Sequence, residues 1–234
     1  MDKNKDIFGI ALKAFYEEND KTAINVHSPD FDDDIIPVEY LFRDFEEMPK
    51  VEQTALKRCK GKVLDVGCGA GSHALYLQKN KDLQIHAIDT SQGAVEIAKK
   101  RGVESVTHQD FFHIENEKFD TILMLMNGSG IIEKLENLEN FFQHSKSLLN
   151  EGGKILMDSS DLIYLYEDEI IDPDKYYGEF EYSVSYKEFK ADSFNWLYID
   201  PELLMKYAEA NGFQCEILEE GENHDYLAAL RLKQ

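Results

Sequence analysis

The sequence predicts an α/β protein built on a doubly wound sheet of seven strands, most of them parallel. Three observations carry that expectation. Between residues 62 and 160, short apolar runs alternate with segments of helical periodicity. The runs are bounded by glycine or acidic residues, as strands covered on both faces are. The first run also passes through a glycine-rich turn, KVLDVGCGAGSHALYLQ, directly into a helix.

From Asp6 to Glu18 the apolar residues Ile7, Phe8, Ala11, Leu12, Phe15 and Tyr16 recur at helical spacing, which predicts a lid or packing helix with one apolar face. HSPDFDDDIIPVEY, rich in Asp and Pro, reads as a loop, and LFRDFEEMPKVEQTALKRCKG as a second helix ending at Gly61. Strands follow at KVLDV, LQIHAID, VESVTHQD, FDTILMLM and KILMDSS, with helices at SHALYLQKN, SQGAVEIAKKRG and LENLENFFQHSKSLLNEGG. After Asp161 the alternation stops. EFEYSVSYKEF places Phe180, Tyr182, Val184 and Tyr186 at period two, and SFNWLYI follows, so an antiparallel aromatic hairpin is expected above the sheet. PELLMKYAEANG has proline at its start and glycine at its end, the asymmetry of a helix. FQCEILEEG and DYLAALRLK, joined by a turn at Glu222 to His224, complete the sheet. The expected organisation is one domain: an N-terminal helical cap (1–60), core sheet and helices (61–160 and 200–234), and an inserted aromatic hairpin (161–199).

A chain of 234 residues suffices for one large α/β core. With 25 basic and 46 acidic residues the formal charge is −21, so the average surface repels nucleic acid and suits a small molecule or a cationic partner. No stretch approaches the roughly 20 apolar residues of a membrane span, and the N-terminus has no signal-peptide pattern. A cytoplasmic location is the expectation. Cys59, Cys68 and Cys215 are isolated in sequence, which predicts free thiols and no metal site.

Gly67, Gly69 and Gly71 let the backbone turn tightly and a ligand approach it, next to the unpaired N–H groups of a helix start. Their spacing is G-x-G-x-G, one residue short of the dinucleotide fingerprint G-x-G-x-x-G. Asp65 sits inside the end of an apolar strand, where a carboxylate is costly without a cationic neighbour. Asp89, followed by Thr90, ends the second strand, where a carboxylate is placed to accept ribose hydroxyls. Asp110 follows the third strand with Phe111 and Phe112 beside it, an acceptor and a flat apolar surface for an adenine. Asp89 alone suits a nicotinamide cofactor equally well.

Taken together, these positions resemble the class I S-adenosylmethionine-dependent methyltransferases across residues 60 to 160, and the whole chain is similar to a bacterial group of that family without an assigned substrate. The resemblance implies a Rossmann-like methyltransferase fold whose last strand is antiparallel. It implies cofactor contacts at Asp65, Gly67, Gly69, Gly71, Asp89, Thr90, Asp110 and Phe111, and at Met126 and Asn127 in the loop MNGSGII after the fourth strand. The implied reaction consumes S-adenosylmethionine and yields S-adenosylhomocysteine.

Asn127-Gly128-Ser129 is not the Pro-Pro-aromatic motif of DNA amino-methylating enzymes, and no Pro-Cys follows the fourth strand as in carbon-5 cytosine enzymes. The scattered cysteines also disfavour arsenite methylation. An NAD-dependent oxidoreductase is disfavoured by the glycine spacing and Asp65, and a non-catalytic S-adenosylmethionine-binding regulator remains open. The aromatic collection Tyr164, Tyr166, Tyr176, Tyr177, Tyr182, Tyr186, Trp196 and Tyr198 either encloses the acceptor or buries its rings against the sheet or in a homodimer interface. His73 and His224 are the candidates for acid–base work. Arg43 would meet the methionine carboxylate or form a helix-surface ion pair.

Overall fold

The computed structural model describes residues 6–166 and 175–233. Helix α1 (Ile7–Glu18) buries Ile7, Ala11 and Leu12 of the predicted face together with Gly9, whereas Phe8 and Phe15 are half-buried and Tyr16 is exposed. Asp6 caps it by accepting from the Gly9 N–H, and Asn19 ends it in the left-handed conformation.

Two short strands then occupy part of the segment expected as loop: β1 (Ile24–His27) and β2 (Asp34–Ile36) pair antiparallel, with Ile24 opposite Ile36. Strands of four and three residues are too brief to show period two in the sequence. The second expected helix is also shorter. The chain makes 3₁₀ turns at Val38–Phe42 and Phe45–Glu47 before α2 (Lys50–Arg58). Pro37 and Pro49 stand at the N-caps of the first turn and of α2. A ring without an N–H starts a helical segment and does not continue one. The N-terminal segment therefore carries two short strands between its helices.

The predicted alternation follows: β3 (Lys62–Val66), α3 (Ser72–Leu77), β4 (Gln84–Asp89), α4 (Gln92–Arg101), β5 (Val106–His108), β6 (Phe119–Met124), α5 (Leu138–Leu148) and β7 (Leu149–Ser160). The chain continues through β8 (Glu179–Tyr186), β9 (Phe189–Lys190), β10 (Phe194–Leu197), α6 (Pro201–Ala210), β11 (Phe213–Glu220) and β12 (Asp225–Leu232). The larger sheet has seven strands in the order β11-β12-β7-β6-β3-β4-β5. The pairs β4/β5 and β6/β7 are parallel, and β12 runs antiparallel to both β7 and β11. This is a Rossmann-like fold with an antiparallel last strand.

The inserted hairpin also pairs outside itself. β8 pairs with β9 and also with β1, with Asn25 opposite Ser185 and Val26 opposite Val184. The hairpin and the N-terminal strands thus belong to a second sheet, ordered β10-β8-β1-β2 with β9 against β8.

The chain divides into two compact units, the first comprising Met1–Met48, Leu64–His113 and Glu181–Phe194. Its core joins Ile7, Leu12, Ile24, Val38, Ile97, Val184 and Tyr186, and a smaller cluster gathers Cys68, Ala74, Ala87, Val95, Ala98, Val103 and Val106. The second unit comprises Pro49–Val63, Ile114–Phe180 and Asn195–Gln234. There Phe142 packs between Phe141 and Phe213, with ring centroids 5.4 and 5.2 Å away. Among the described residues no helix is long and apolar enough to cross a membrane, and no cluster of His, Cys, Asp and Glu is arranged to hold a metal. The three thiols are free.

Candidate functional site

In the first unit the site is built where β3 ends. Val63, Leu64 and Val66 are buried, and Asp65 among them is only 2% exposed. Its Oδ2 is buried without a hydrogen-bond partner. Burial pushes the carboxyl pKa up to about 6, His73 draws it down, and the charge of Asp89 adds to the rise. A buried carboxylate oxygen left open costs free energy unless a cation completes it.

The glycine turn wraps over the next strand. Gly67 and Cys68 both donate to the Ile88 carbonyl at 3.0 Å, and the Gly71 N–H donates to the Cys68 carbonyl at 2.8 Å. Gly69 and Gly71 have φ of 54° and 84°, the left-handed region. They serve different ends. A Cβ on Gly71 would stand 2.6 Å from Val103 Cγ2, so this glycine lets α3 and α4 close together. A Cβ on Gly69 would meet nothing within 4 Å, so this part of the turn faces open space. Cys68 is buried, and burial with the charges of Asp65 and Asp89 raises its thiol far above the ordinary range. It is a packing residue and no nucleophile.

Asp89 ends β4 and ties the turn to it. Its Oδ2 accepts from the Gly69 N–H at 2.8 Å and its Oδ1 from the Ser91 N–H at 2.7 Å. Each oxygen keeps acceptor capacity for one more donor, which is what a pair of adjacent hydroxyls requires. Burial raises its pKa, and those two N–H groups oppose the rise. Thr90 is exposed, and its carbonyl lies 2.9 Å from His108 Nε2. The parallel register sets Asp89 opposite His108, and Asp110 lies two residues further on. Asp110 Oδ1 accepts from the Phe112 N–H at 2.7 Å, and Oδ2 stands 3.7 Å from His113 Nδ1. Phe111 is 2% exposed, its ring edge-on to the partly exposed Phe112 at 5.2 Å. Of the two rings Phe112 is the accessible one.

His73 is buried in α3 and acts on the Asp65 charge. Arg43 is 6% exposed and so does not lie on the surface; its guanidinium lies 3.8 Å over the Tyr40 ring, and Nη1 donates to the Tyr40 carbonyl at 2.5 Å. Arg43 is the C-cap of the 3₁₀ turn Val38–Phe42, which holds Tyr40. Arg101, which the sequence reading passed over, donates to the Ala70 carbonyl at 2.7 Å and to the Phe42 carbonyl at 3.2 Å.

In the second unit, the segment after β6 carries two consecutive non-glycine residues in the left-handed region, Met126 (φ 67°) and Asn127 (φ 56°). Backbone of this kind persists only when its surroundings hold it. Asp158 does so from β7: it accepts from the Met126 N–H at 2.9 Å and from the Gly128 N–H at 2.8 Å. Burial pushes its pKa up to about 7, opposed by these N–H groups and assisted by Glu52. The Ser160 hydroxyl donates to Asn127 Oδ1 at 2.9 Å. Met126 itself is exposed. Asp158 escaped the sequence reading although KILMDSS carries the signal used for Asp65, a carboxylate at the end of an apolar strand.

The aromatic collection splits. Tyr186 is buried in the first unit's core, whereas in the second unit Tyr164 is exposed and stacks on His224 at 4.4 Å. The indole of Trp196 lies against Gly130, where a Cβ would approach to 1.8 Å. The Tyr176 and Tyr177 hydroxyls donate to Asp200 and Asp161 at 2.7 and 2.8 Å.

A buried carboxylate open to a cation, an open glycine turn and a carboxylate with spare acceptors suit a nucleoside that carries an ammonium and a sulfonium. Comparison with known proteins agrees. A family model for the methyltransferase domain matches residues 63–153. The crystal structure of a SAM-dependent methyltransferase from Bacteroides fragilis in complex with S-adenosyl-L-homocysteine is 45% identical, with 100% of this chain and 98% of that chain covered and a TM-score of 0.92. An S-adenosylmethionine-dependent methyltransferase from Clostridium acetobutylicum is 18% identical over 84% of this chain and 95% of that chain, TM-score 0.56, and carries the fold alone. No curated protein sequence matches. The chain belongs to the S-adenosylmethionine-dependent methyltransferase family.

Proposed function

We propose that this protein transfers the methyl group of S-adenosylmethionine to a small-molecule acceptor. The observation that carries the reading is the Asp65 carboxylate, buried with Oδ2 unpartnered beside a glycine turn that faces open space. In this reading Asp65 meets the donor's ammonium group, Gly67, Gly69 and Gly71 admit its chain, and Asp89 with Thr90 receives the ribose hydroxyls. Asp110, Phe111 and Phe112 frame the adenine. Methyl transfer from a sulfonium is an in-line displacement, so the protein's work is to hold the acceptor's lone pair on the methyl carbon and to exclude water.

The negative surface favours a small or cationic acceptor over a polyanion. The joining of β8 to β1 supports a shared acceptor wall built from the hairpin and the N-terminal segment. A base is needed only for an acceptor protonated at working pH. Of the two histidines, His224 has the exposed side chain. The three free thiols suit a reducing, cytoplasmic setting.

Calorimetric titration with S-adenosylhomocysteine tests the donor site. Asp65→Ala and Asp89→Ala are expected to lose most of the binding, and undiminished binding in both would remove these residues from the site. Methyl transfer across an acceptor panel separates an enzyme from a protein that only binds the donor.

A further inference from the structure

We propose that Asp6 is a positioning residue for donor binding, acting through Ser91 on the carboxylate of Asp89. The inference rests on the reading of Asp89 as the ribose carboxylate. Asp6 stands at the N-terminus of α1, far in sequence from the glycine turn, yet its side chain gathers three donors. Its Oδ1 accepts from the Gly9 N–H at 3.0 Å and from the Ser91 hydroxyl at 2.6 Å, and its Oδ2 accepts from the Gly93 N–H at 2.9 Å.

One carboxylate therefore caps α1 and also reaches the first turn of α4. Ser91 is itself the N-cap of α4, its hydroxyl accepting from the Ala94 N–H at 2.9 Å. The hydroxyl's single proton is committed to Asp6, which fixes the rotamer. The same residue's backbone N–H donates to Asp89 Oδ1, and the other Asp89 oxygen accepts from Gly69. An unbroken path of hydrogen bonds thus runs from the N-terminal helix through Ser91 and Asp89 to the glycine turn.

The helices are shaped for this contact. A Cβ on Gly93 would lie 2.5 Å from the Gly9 Cα, so α1 and α4 cross backbone to backbone. That crossing brings a helix-capping aspartate onto the loop that follows β4. An ordinary N-cap would satisfy its own helix alone. Asp6 also opposes the charge of Asp89, as a nearby carboxylate does. Its effect on the donor is thus to fix where the Asp89 oxygens point, through the Ser91 residue that both carboxylates engage.

The test compares S-adenosylhomocysteine with its 2′-deoxy analogue by calorimetry in wild type, Asp6→Ala, Asp6→Asn, Ser91→Ala, the Asp6→Ala/Ser91→Ala double variant and Asp89→Ala. Asp6→Ala and Ser91→Ala are expected to weaken S-adenosylhomocysteine roughly three- to tenfold, about the net worth of one ordinary hydrogen bond. They should also reduce the preference for the 2′-hydroxyl, and the double variant should be no weaker than the worse single. Asp6→Asn keeps one acceptor oxygen and should recover part of the preference. A structural role alone would lower the melting temperature and leave the hydroxyl preference intact, which overturns the proposal. If Asp6→Ala does not fold, Ser91→Ala severs the same link and decides alone. Should Asp89→Ala itself retain the preference, the reading of Asp89 fails and the proposal falls with it. Loss in Asp89→Ala with full retention in Asp6→Ala and Ser91→Ala overturns the proposal only.

Discussion

Asp65 and Asp158 are both buried carboxylates at strand ends, and burial raises both pKa values, to about 6 and about 7. The consequences differ because Asp158 has its N–H partners within the fold while Asp65 Oδ2 has none. A cationic donor would favour the ionised form of Asp65, so binding lowers its pKa and releases a proton. S-adenosylhomocysteine affinity should therefore fall as pH drops below 6, by up to about tenfold per pH unit. Asp65→Asn should flatten that slope; titrations between pH 5 and 8 in buffers of different ionisation enthalpy read both the slope and the proton. For Asp158 the linkage concerns folding. With a native pKa raised above the unfolded value, the native state binds the extra proton, and this group's contribution to stability is lost as pH rises from about 4 to 7. The stability difference between wild type and Asp158→Asn, measured by denaturant unfolding, is expected to decline over that window and level above it. Asp65 could be read from the sequence because a charged residue interrupts an apolar run before glycines. The partners of Asp158 could not be, since they are backbone N–H groups that no side-chain pattern records.

The glycine turn shows how one element divides its work. Gly71→Ala places a methyl against Val103 at positive φ, and is expected to destabilise the fold by about 2 kcal/mol or more. Gly69→Val adds its side chain to open space, so its stability loss is limited to backbone strain, about 1–3 kcal/mol. Yet it should abolish the rise in melting temperature caused by S-adenosylhomocysteine. Thermal shifts with and without ligand separate the two effects. The alternation from β3 to β7 was legible because apolar runs and helical periods succeed one another along it, although β5 keeps only Val106–His108 of the run VESVTHQD. β1 and β2 were not: they have four and three residues, and β1 pairs on its other side with β8, far later in the chain, a partner to which sequence periodicity is blind. The inserted segment between the η turn Ile163–Tyr166 and β8 includes residues 167–174, and the part of the expected hairpin region that falls there lies outside the described residues.

At the scale of the whole molecule, a net charge of −21 works against compaction, because like charges repel across the surface. Added sodium chloride should raise the melting temperature of the ligand-free protein by screening this repulsion, and a chain unaffected by salt would show the charges to be locally compensated. The same charge bears on the acceptor, since a polyanion would meet repulsion before it met the site. The most direct test of the account is to incubate wild type and Asp89→Ala with methyl-labelled S-adenosylmethionine and a bacterial extract, and to follow the label by mass spectrometry. The account predicts label in a low-molecular-mass product with wild type and little or none with Asp89→Ala. Label confined to RNA, DNA or protein, or equal label with both proteins, would contradict it.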